Sequence, residues 1–294
     1  MTQTPRMLVT IPHFFREGSN PLYGSGREKA ASRIQALRRC LSALHQTLGS
    51  KHAVIQVGDK VGYPIEPVQR VALDIVICTV GEDHLLDQIQ DLGSFFTQVA
   101  VDIEDPMMLG FECQRVIQER AGGYDWYAFM EDDLILTDPW FLSKLSWFQR
   151  HTTPMVLLQP NRFEVSGGPW HKVYIDGDLS ESLVRQIMPK GQVKLKAQFL
   201  DQDMLFVQAK NPHSGTYFLS AEQLRHWMGR PSFLDYDTSL FGPLESAATY
   251  GVLRTFQIFK PHISNAAFLE IQHHGHAFIR TLNSKFPMQD EPLR

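Results

Sequence analysis

The sequence predicts an α/β fold, in which short apolar strands alternate with amphipathic helices that wind around both faces of one open sheet. Three observations carry this expectation. Apolar runs of strand length recur at 7–11, 73–80 and 124–130. Between them, 27–48 and 109–120 place their apolar residues at helical spacing. The chain has 294 residues, of which 43% are hydrophobic and 20% charged, enough to bury a sizeable core.

The first strand, 7–11, runs through Pro12-His13-Phe14-Phe15 into a Gly-, Ser- and Pro-containing loop that ends at Gly26. That loop carries Gly24-Ser25-Gly26 but neither GxGxxG nor GxxxxGK[ST], so it reads as a surface connection rather than a phosphate cradle. A helix over 27–48 follows from Ile34, Leu37, Leu41, Leu44 and Leu48, with Gly49 as its stop. Strands are expected at 53–57 and 73–80, the second nearly all apolar, as a central parallel strand should be. A strand at 99–103 and a helix at 109–120, ended by Gly122-Gly123, complete this part. After the stretch 124–136, Trp140, Phe141, Leu145 and Phe148 give a helix over 139–150, and 155–159 reads as a strand. From 161 to 215 the text changes: Gly167-Gly168-Pro169, Asp176-Gly177-Asp178 and Asn211-Pro212 separate short pieces. Helices are expected again at 220–228, starting at Ser220, and at 243–253, opened by Pro243. The expectation is a single domain, 1–294, whose halves 1–137 and 138–294 share one sheet.

The most informative stretch joins the apolar Tyr124-Asp125-Trp126-Tyr127-Ala128-Phe129-Met130 to Glu131-Asp132-Asp133. Three carboxylates at the end of a buried strand repel one another and lose hydration. A divalent cation between them offsets that cost and recruits negative oxygens from a phosphorylated ligand. Oxygen ligands favour Mg2+ or Mn2+ over softer metals. The alternative is a solvated acidic turn. Asp138-Pro139 next opens a helix, which puts the acids in a strand-to-helix connection, where open α/β sheets gather their ligands.

This segment resembles the DxD-type signature of GT-A fold glycosyltransferases, with Glu131-Asp132-Asp133 in the place of the motif. Residues 6–11 and 74–81 are similar to strands of the nucleotide half of that family, and Asp138-Pro139-Trp140-Phe141 matches the style of its bacterial members. The resemblance implies a GT-A-like fold, a Rossmann-like mixed sheet flanked by helices. It further implies Mn2+ or Mg2+ held by Asp133 and Glu131, with Asp132 beside the cofactor site, and a nucleotide-diphosphate sugar as donor. His13, Phe14 and Asp83, at strand ends of the half 1–137, become candidate nucleotide contacts. The half 138–294 becomes the acceptor side, taking a carbohydrate or another hydroxyl-bearing molecule. There Trp170, Tyr174, Tyr217 and Trp227 either stack on sugars or fill the core.

Two further groups of residues complete the candidate chemistry. Pro243 places Glu245 in the first turn of a helix, where the dipole favours the ionised carboxylate. The resemblance makes Glu245 the base of an inverting transfer, with Asp237 and Asp235 as substitutes; the rival reading is a carboxylate that only stabilises its helix. In Glu270-Ile271-Gln272-His273-His274-Gly275-His276, the resemblance makes His273 a metal ligand. Neighbouring residues of an extended segment point to opposite faces, so His273 and His274 do not share an ion. A nucleotidyltransferase or phosphohydrolase using the same acids, and a nucleotide-sugar or carbohydrate-binding protein without turnover, are the competing functions.

The formal net charge of -4 offers no general attraction for nucleic acid. Cys40, Cys78 and Cys113 sit far apart in apolar contexts and read as buried thiols. Residues 1–6 lack the pattern of a signal peptide and no apolar run reaches membrane-spanning length, which predicts a cytoplasmic protein. Arg27, Arg33, Arg38 and Arg39 could meet acidic lipid as a peripheral contact, or form a solvated helix face.

Overall fold

A strand flanked on both sides by other strands and covered on both faces has to be apolar in both of its alternating side-chain sets. Arg6–Pro12 (β1) meets that condition: Met7, Val9 and Ile11 enter one layer of core and Leu8 enters the other. The computed structural model describes residues 4–17, 27–67, 70–175, 181–239, 241–282 and 284–289. The Gly24-Ser25-Gly26 loop and the Asp176-Gly177-Asp178 turn lie outside them.

From β1 the chain forms helix Arg27–Leu48 (α1), closed at Gly49, whose N–H reaches the His45 carbonyl. Strands His52–Gln56 (β2) and Val61–Ile65 (β3) follow, then Ala72–Val80 (β4) and Thr97–Val101 (β5). Helix Leu109–Glu119 (α2) leads to Trp126–Met130 (β6), and after the acidic turn comes the two-residue strand Leu134–Ile135 (β7). Asp138 receives the N–H of Trp140 and holds Lys144, setting up helix Phe141–Arg150 (α3). Strands Val156–Leu158 (β8), Asn161–Val165 (β9) and Lys172–Ile175 (β10), helix Glu181–Ile187 (α4) and strands Lys194–Phe199 (β11) and Gln202–Gln208 (β12) come next. Thr216–Ser220 (β13) precedes helix Ala221–Met228 (α5), where Ser220 and Gln223 form a reciprocal capping box. Pro243–Glu245 (α6), a π-helical stretch Ser246–Tyr250 and Gly251–Thr255 (α7) make one helical run, followed by Gln257–Pro261 (β14) and Glu270–His273 (β15).

The main sheet has the order β13-β6-β1-β4-β5. β6, β1, β4 and β5 are parallel, and β13 joins β6 antiparallel. The class is therefore the mixed α/β one that the sequence predicts. One face packs on α1 through Leu37, Leu41 and Leu44, and the other on α2 through Leu109, Cys113, Val116 and Ile117. Each fully buried aliphatic side chain contributes roughly 1.5–3 kcal/mol of transfer free energy, so the two layers dominate the stability of the sheet. All three cysteines are buried and free.

The structure corrects one expectation and refines two. The single open sheet is joined by two further four-stranded sheets, β10-β9-β15-β7 and β11-β12-β14-β8. The buried strand expected before the three acids is present as β6, but the connection to the next helix is not a plain turn: the chain leaves the main sheet after Met130 and enters a second one at Leu134. The strand expected at 53–57 is present as β2, but it pairs only with β3, in a solvent-exposed two-stranded hairpin turned at Lys60 with φ 54°. Among the arginines of α1, Arg33 pairs with Asp132 and Arg38 with Asp91, so these two are bound to the protein's own carboxylates; the Arg27 side chain is outside the description. No helix among the described residues is long and apolar enough to cross a membrane.

Candidate functional site

Chain order moves from β1 to β4 and β5 on one side of the sheet and resumes with β6 on the other side of β1. The winding direction therefore changes between β1 and β6, and the carboxyl ends of strands at such a point are where open α/β sheets place their ligands. Those ends carry His13 and Glu131-Asp132-Asp133. The three acids have three different environments.

Asp132 turns inward. Its Oδ2 accepts from His13 Nδ1 at 2.6 Å and from Arg33 at 2.7 Å, with only 5% of the residue exposed. The His13 ring is wholly buried, and its Nε2 accepts the Leu85 N–H at 3.2 Å, which leaves the proton on Nδ1. Asp132 thus fastens the loop after β1 and helix α1 to the acidic turn. His13, expected at the nucleotide, has both ring nitrogens committed inside the protein. Phe14 is buried in the core beside Val76 and Cys78. Asp83 stands at the end of β4 and accepts from Arg16 at 2.6 and 3.1 Å.

Glu131 lies under the segment that leads into β13. Its N–H donates to the Gly215 carbonyl at 2.9 Å, and a Cβ at Gly215, where φ is +66°, would stand 2.3 Å from Glu131 Oε2. Only glycine allows that approach. Glu131 Oε1 is 3.9 Å from His213 Nε2, while His213 Nδ1 pairs with the Thr249 hydroxyl at 2.8 Å. Loss of hydration in the cleft, then the field of Asp133, pushes Glu131 up to about 7. Burial, followed by the charges of Arg162 and Lys260, pushes His213 down to about 3.

Asp133 faces His273. β15 runs antiparallel to β7 with His273 opposite Leu134, and the His274 N–H binds the Asp133 carbonyl at 2.8 Å. This register brings His273 Nε2 to 3.5 Å from Asp133 Oδ2. On its other side β15 is parallel to β9, and Gln272 opposite Phe163 puts Glu164 beside His273. The fully buried Glu164 accepts from His273 Nδ1 at 3.0 Å and from the N–H groups of Phe278 and Ile279 at 3.3 and 2.8 Å. Burial alone would lower His273, but Asp133 and Glu164 raise it to about 9. Asp133 is held below the usual carboxylate range: contacts with His273 and the field of Arg33 outweigh its burial.

These residues can be tested against the ion that the acidic motif implies. Asp133 Oδ1 is buried with no hydrogen-bond partner among the described residues, an acceptor left for a cation. His273 presents Nε2 to the same space while a carboxylate holds Nδ1, the arrangement that orients an imidazole toward a metal. Among the described residues no three His, Cys, Asp or Glu side chains are gathered into a cage. Mg2+ needs no such cage, because it uses one or two protein ligands and completes its shell with water and phosphate oxygens. The pair Asp133 and His273 fits a hard divalent ion. Glu131 is directed to His213 and Gly215.

Glu245 ends the short helix α6, exposed, and about one turn before Thr249. The helical run is fixed against α2 at Gly110, where a Cβ would meet that of Ala247 at 2.5 Å. Since Thr249 binds His213 and His213 neighbours Glu131, this run borders the acidic turn. Asp235 and Asp237 instead pair with Arg254, at 2.6 and 3.2 Å. Tyr217 and Trp227 are core residues stacked edge to face, Tyr174 donates to Glu270, and Trp170 is 47% exposed. Sequence reasoning missed Arg33, Arg162, Glu164 and His213. For Arg162 and Glu164 a signal exists in Asn161-Arg162-Phe163-Glu164-Val165, where the polar residues recur with the period of a strand.

No protein-family model matches the chain, and no curated protein sequence matches it. Solved structures to which it is similar include GalNAc-T7 with UDP, GalNAc and Mn2+, at 10% identity and a TM-score of 0.47, covering 92% of this chain and 43% of that one. The structure of S. aureus TarS 1-349 is similar at 9% identity and a TM-score of 0.45, covering 91% of this chain and 60% of that one. The chain thus spans less than two thirds of the length of either. The chemistry of the cleft is read from its own side chains.

Proposed function

We propose that this protein is a metal-dependent glycosyltransferase that moves a sugar from a nucleotide diphosphate to an acceptor hydroxyl. The observation that carries the reading is the Asp133–His273–Glu164 line at the point where the sheet changes winding direction. An acid with a vacant buried oxygen and an oriented imidazole make half a coordination shell, which a diphosphate would complete. Asp133 and His273 would hold Mn2+ or Mg2+, which supplies neutralisation of the charge on the departing diphosphate. Asp132 holds the turn in place through His13 and Arg33. The half 1–137 would receive the nucleotide, with Phe14 and Asp83 at its strand ends, and the half 138–294 the acceptor.

Glu245 is the proposed base, taking the acceptor proton as the hydroxyl attacks the anomeric carbon in a single inverting displacement. Its position about one turn from Thr249 favours it over Asp237 and Asp235, which Arg254 engages. Three free thiols accord with a cytoplasmic setting. The test is calorimetric titration of uridine or guanosine diphosphate with and without Mn2+. Binding that requires Mn2+ is expected for one of them; binding of neither, or equal binding without metal, would refute the reading.

A further inference from the structure

Arg162 is a buried charge outside the ion pairs described so far. It lies on β9 two residues before Glu164, on the same face of the strand, and only 7% of it is exposed. Its cross-strand neighbours are Ile175 on β10 and Ile271 on β15, and its guanidinium carbon stands 5.5 Å from the centre of the Phe278 ring. Glu164, the nearest acid along the strand, spends its oxygens on His273, Phe278 and Ile279. Among the described residues Arg162 donates no hydrogen bond and has no carboxylate within ion-pairing distance, and its Nε is buried without an acceptor.

A guanidinium stripped of water and left without a directly bonded acceptor is costly to fold around, and a protein tolerates it where a ligand provides the oxygens. The location says which cleft that ligand occupies. Burial raises Glu131, and Arg162 is the largest charge opposing it; Arg162 also acts on Asp133, His213 and His273. The register agrees: Arg162 lies opposite Ile271 on β15, two residues from His273, and on the same face of β9 as Glu164, which binds His273, so the residue borders the space between the acidic turn and β15. Its planar fork suits two oxygens of one phosphoryl group, which an ammonium would meet at a single point.

We propose that Arg162 is an oxyanion-binding residue of this cleft, taking a phosphoryl group of the bound substrate. This rests on the proposed function only in treating the acidic cleft as the substrate site. The phosphoryl group belongs either to the donor diphosphate or to a phosphate carried by the acceptor. Arg162→Met removes the fork and keeps an apolar stem between Ile175 and Ile271; Arg162→Lys keeps the charge alone.

The experiment is calorimetric titration of inorganic pyrophosphate, and separately of uridine and guanosine diphosphates, with and without Mn2+, into the parent chain and both variants. Urea unfolding of each protein confirms an intact fold. Arg162→Met is expected to weaken pyrophosphate on the order of tenfold or more, with Arg162→Lys between it and the parent. A matching loss for a nucleoside diphosphate assigns the oxyanion to the donor; loss for pyrophosphate alone assigns it to an acceptor phosphate. Arg162-dependent pyrophosphate binding with no nucleotide binding would sink the glycosyltransferase reading and leave the anion site standing. Equal pyrophosphate affinity in the parent and Arg162→Met, or no pyrophosphate binding by the parent in either condition, overturns the inference.

Discussion

Replacing Glu164 with glutamine separates a carboxylate that orients a metal ligand from one that merely fills the sheet. The change is nearly isosteric, so packing is preserved, but an amide has one acceptor oxygen where the carboxylate has two. Oε1 of Glu164 serves His273 Nδ1 and the Phe278 N–H, while Oε2 serves the Ile279 N–H at 2.8 Å. Whichever way the amide faces, at least one buried donor meets an NH2 group instead of an oxygen. Leaving one such donor unsatisfied costs about 1–3 kcal/mol, so the metal-free variant should unfold in urea with roughly 2 kcal/mol less stability. If the NH2 faces His273, the imidazole proton is driven to Nε2, the nitrogen that has to be bare to bind metal. Mn2+ affinity should then fall on the order of 10- to 100-fold, the usual effect of disturbing the partner of a ligating histidine. Free Mn2+ measured by electron paramagnetic resonance during titration reads this directly, with His273→Ala as the limiting case. A folded Glu164→Gln protein that binds Mn2+ as tightly as the parent would refute the orienting role and weaken the assignment of His273.

The adjacent acids should behave differently. Asp132→Ala leaves the partly buried Arg33 charge and the buried His13 ring without their shared acceptor, and should cost about 3 kcal/mol in urea unfolding. Asp133→Ala should cost about 1 kcal/mol or less while abolishing Mn2+ binding, because it removes repulsion among the acids along with a single contact to His273; the opposite order of stabilities would exclude this division of roles. Glu245→Gln should leave nucleotide affinity unchanged and lower turnover by a factor on the order of 10², measured as sugar transfer to an identified acceptor. Near-parent turnover would move the base elsewhere.

How much of this is legible in the sequence depends on whether the determining interactions are local. The span of α1 is readable because apolar residues three and four apart and a closing Gly49 are properties of one segment. The acidic turn is readable for the same reason, since an apolar run and its three carboxylates are contiguous. By contrast β2 carries the composition of a buried strand and lies exposed, because periodicity reports a pattern of side chains and not what covers them. Asp133 and His273 meet only through the pairing of β7 with β15, and Glu164 joins them only through β9. Both are registers between segments far apart in the chain, which no local pattern encodes. His13 shows the converse: its place after the first strand suggests a ligand contact, and the tertiary neighbours Asp132 and Leu85 turn it inward.

The same logic bears on the choice of base. Asp235, Asp237 and Glu245 are acids within one short stretch around Pro243, and sequence alone ranks them by helix position. Arg254, on α7, lies close in the chain and pairs with both Asp235 and Asp237, a tertiary contact that no local pattern announces. Leu234 and Tyr236 take positive φ values there, 51° and 53°, which non-glycine residues adopt only where contacts compensate, and the ion pairs with Arg254 and the Tyr236–Glu112 hydrogen bond are such contacts. An acid whose charge helps hold a strained loop is a poor proton acceptor, because protonation would loosen the loop at the moment of transfer. Among the described residues Glu245 pairs with no arginine. Its place on the run that carries Thr249, His213's partner, is what favours it as the proposed base.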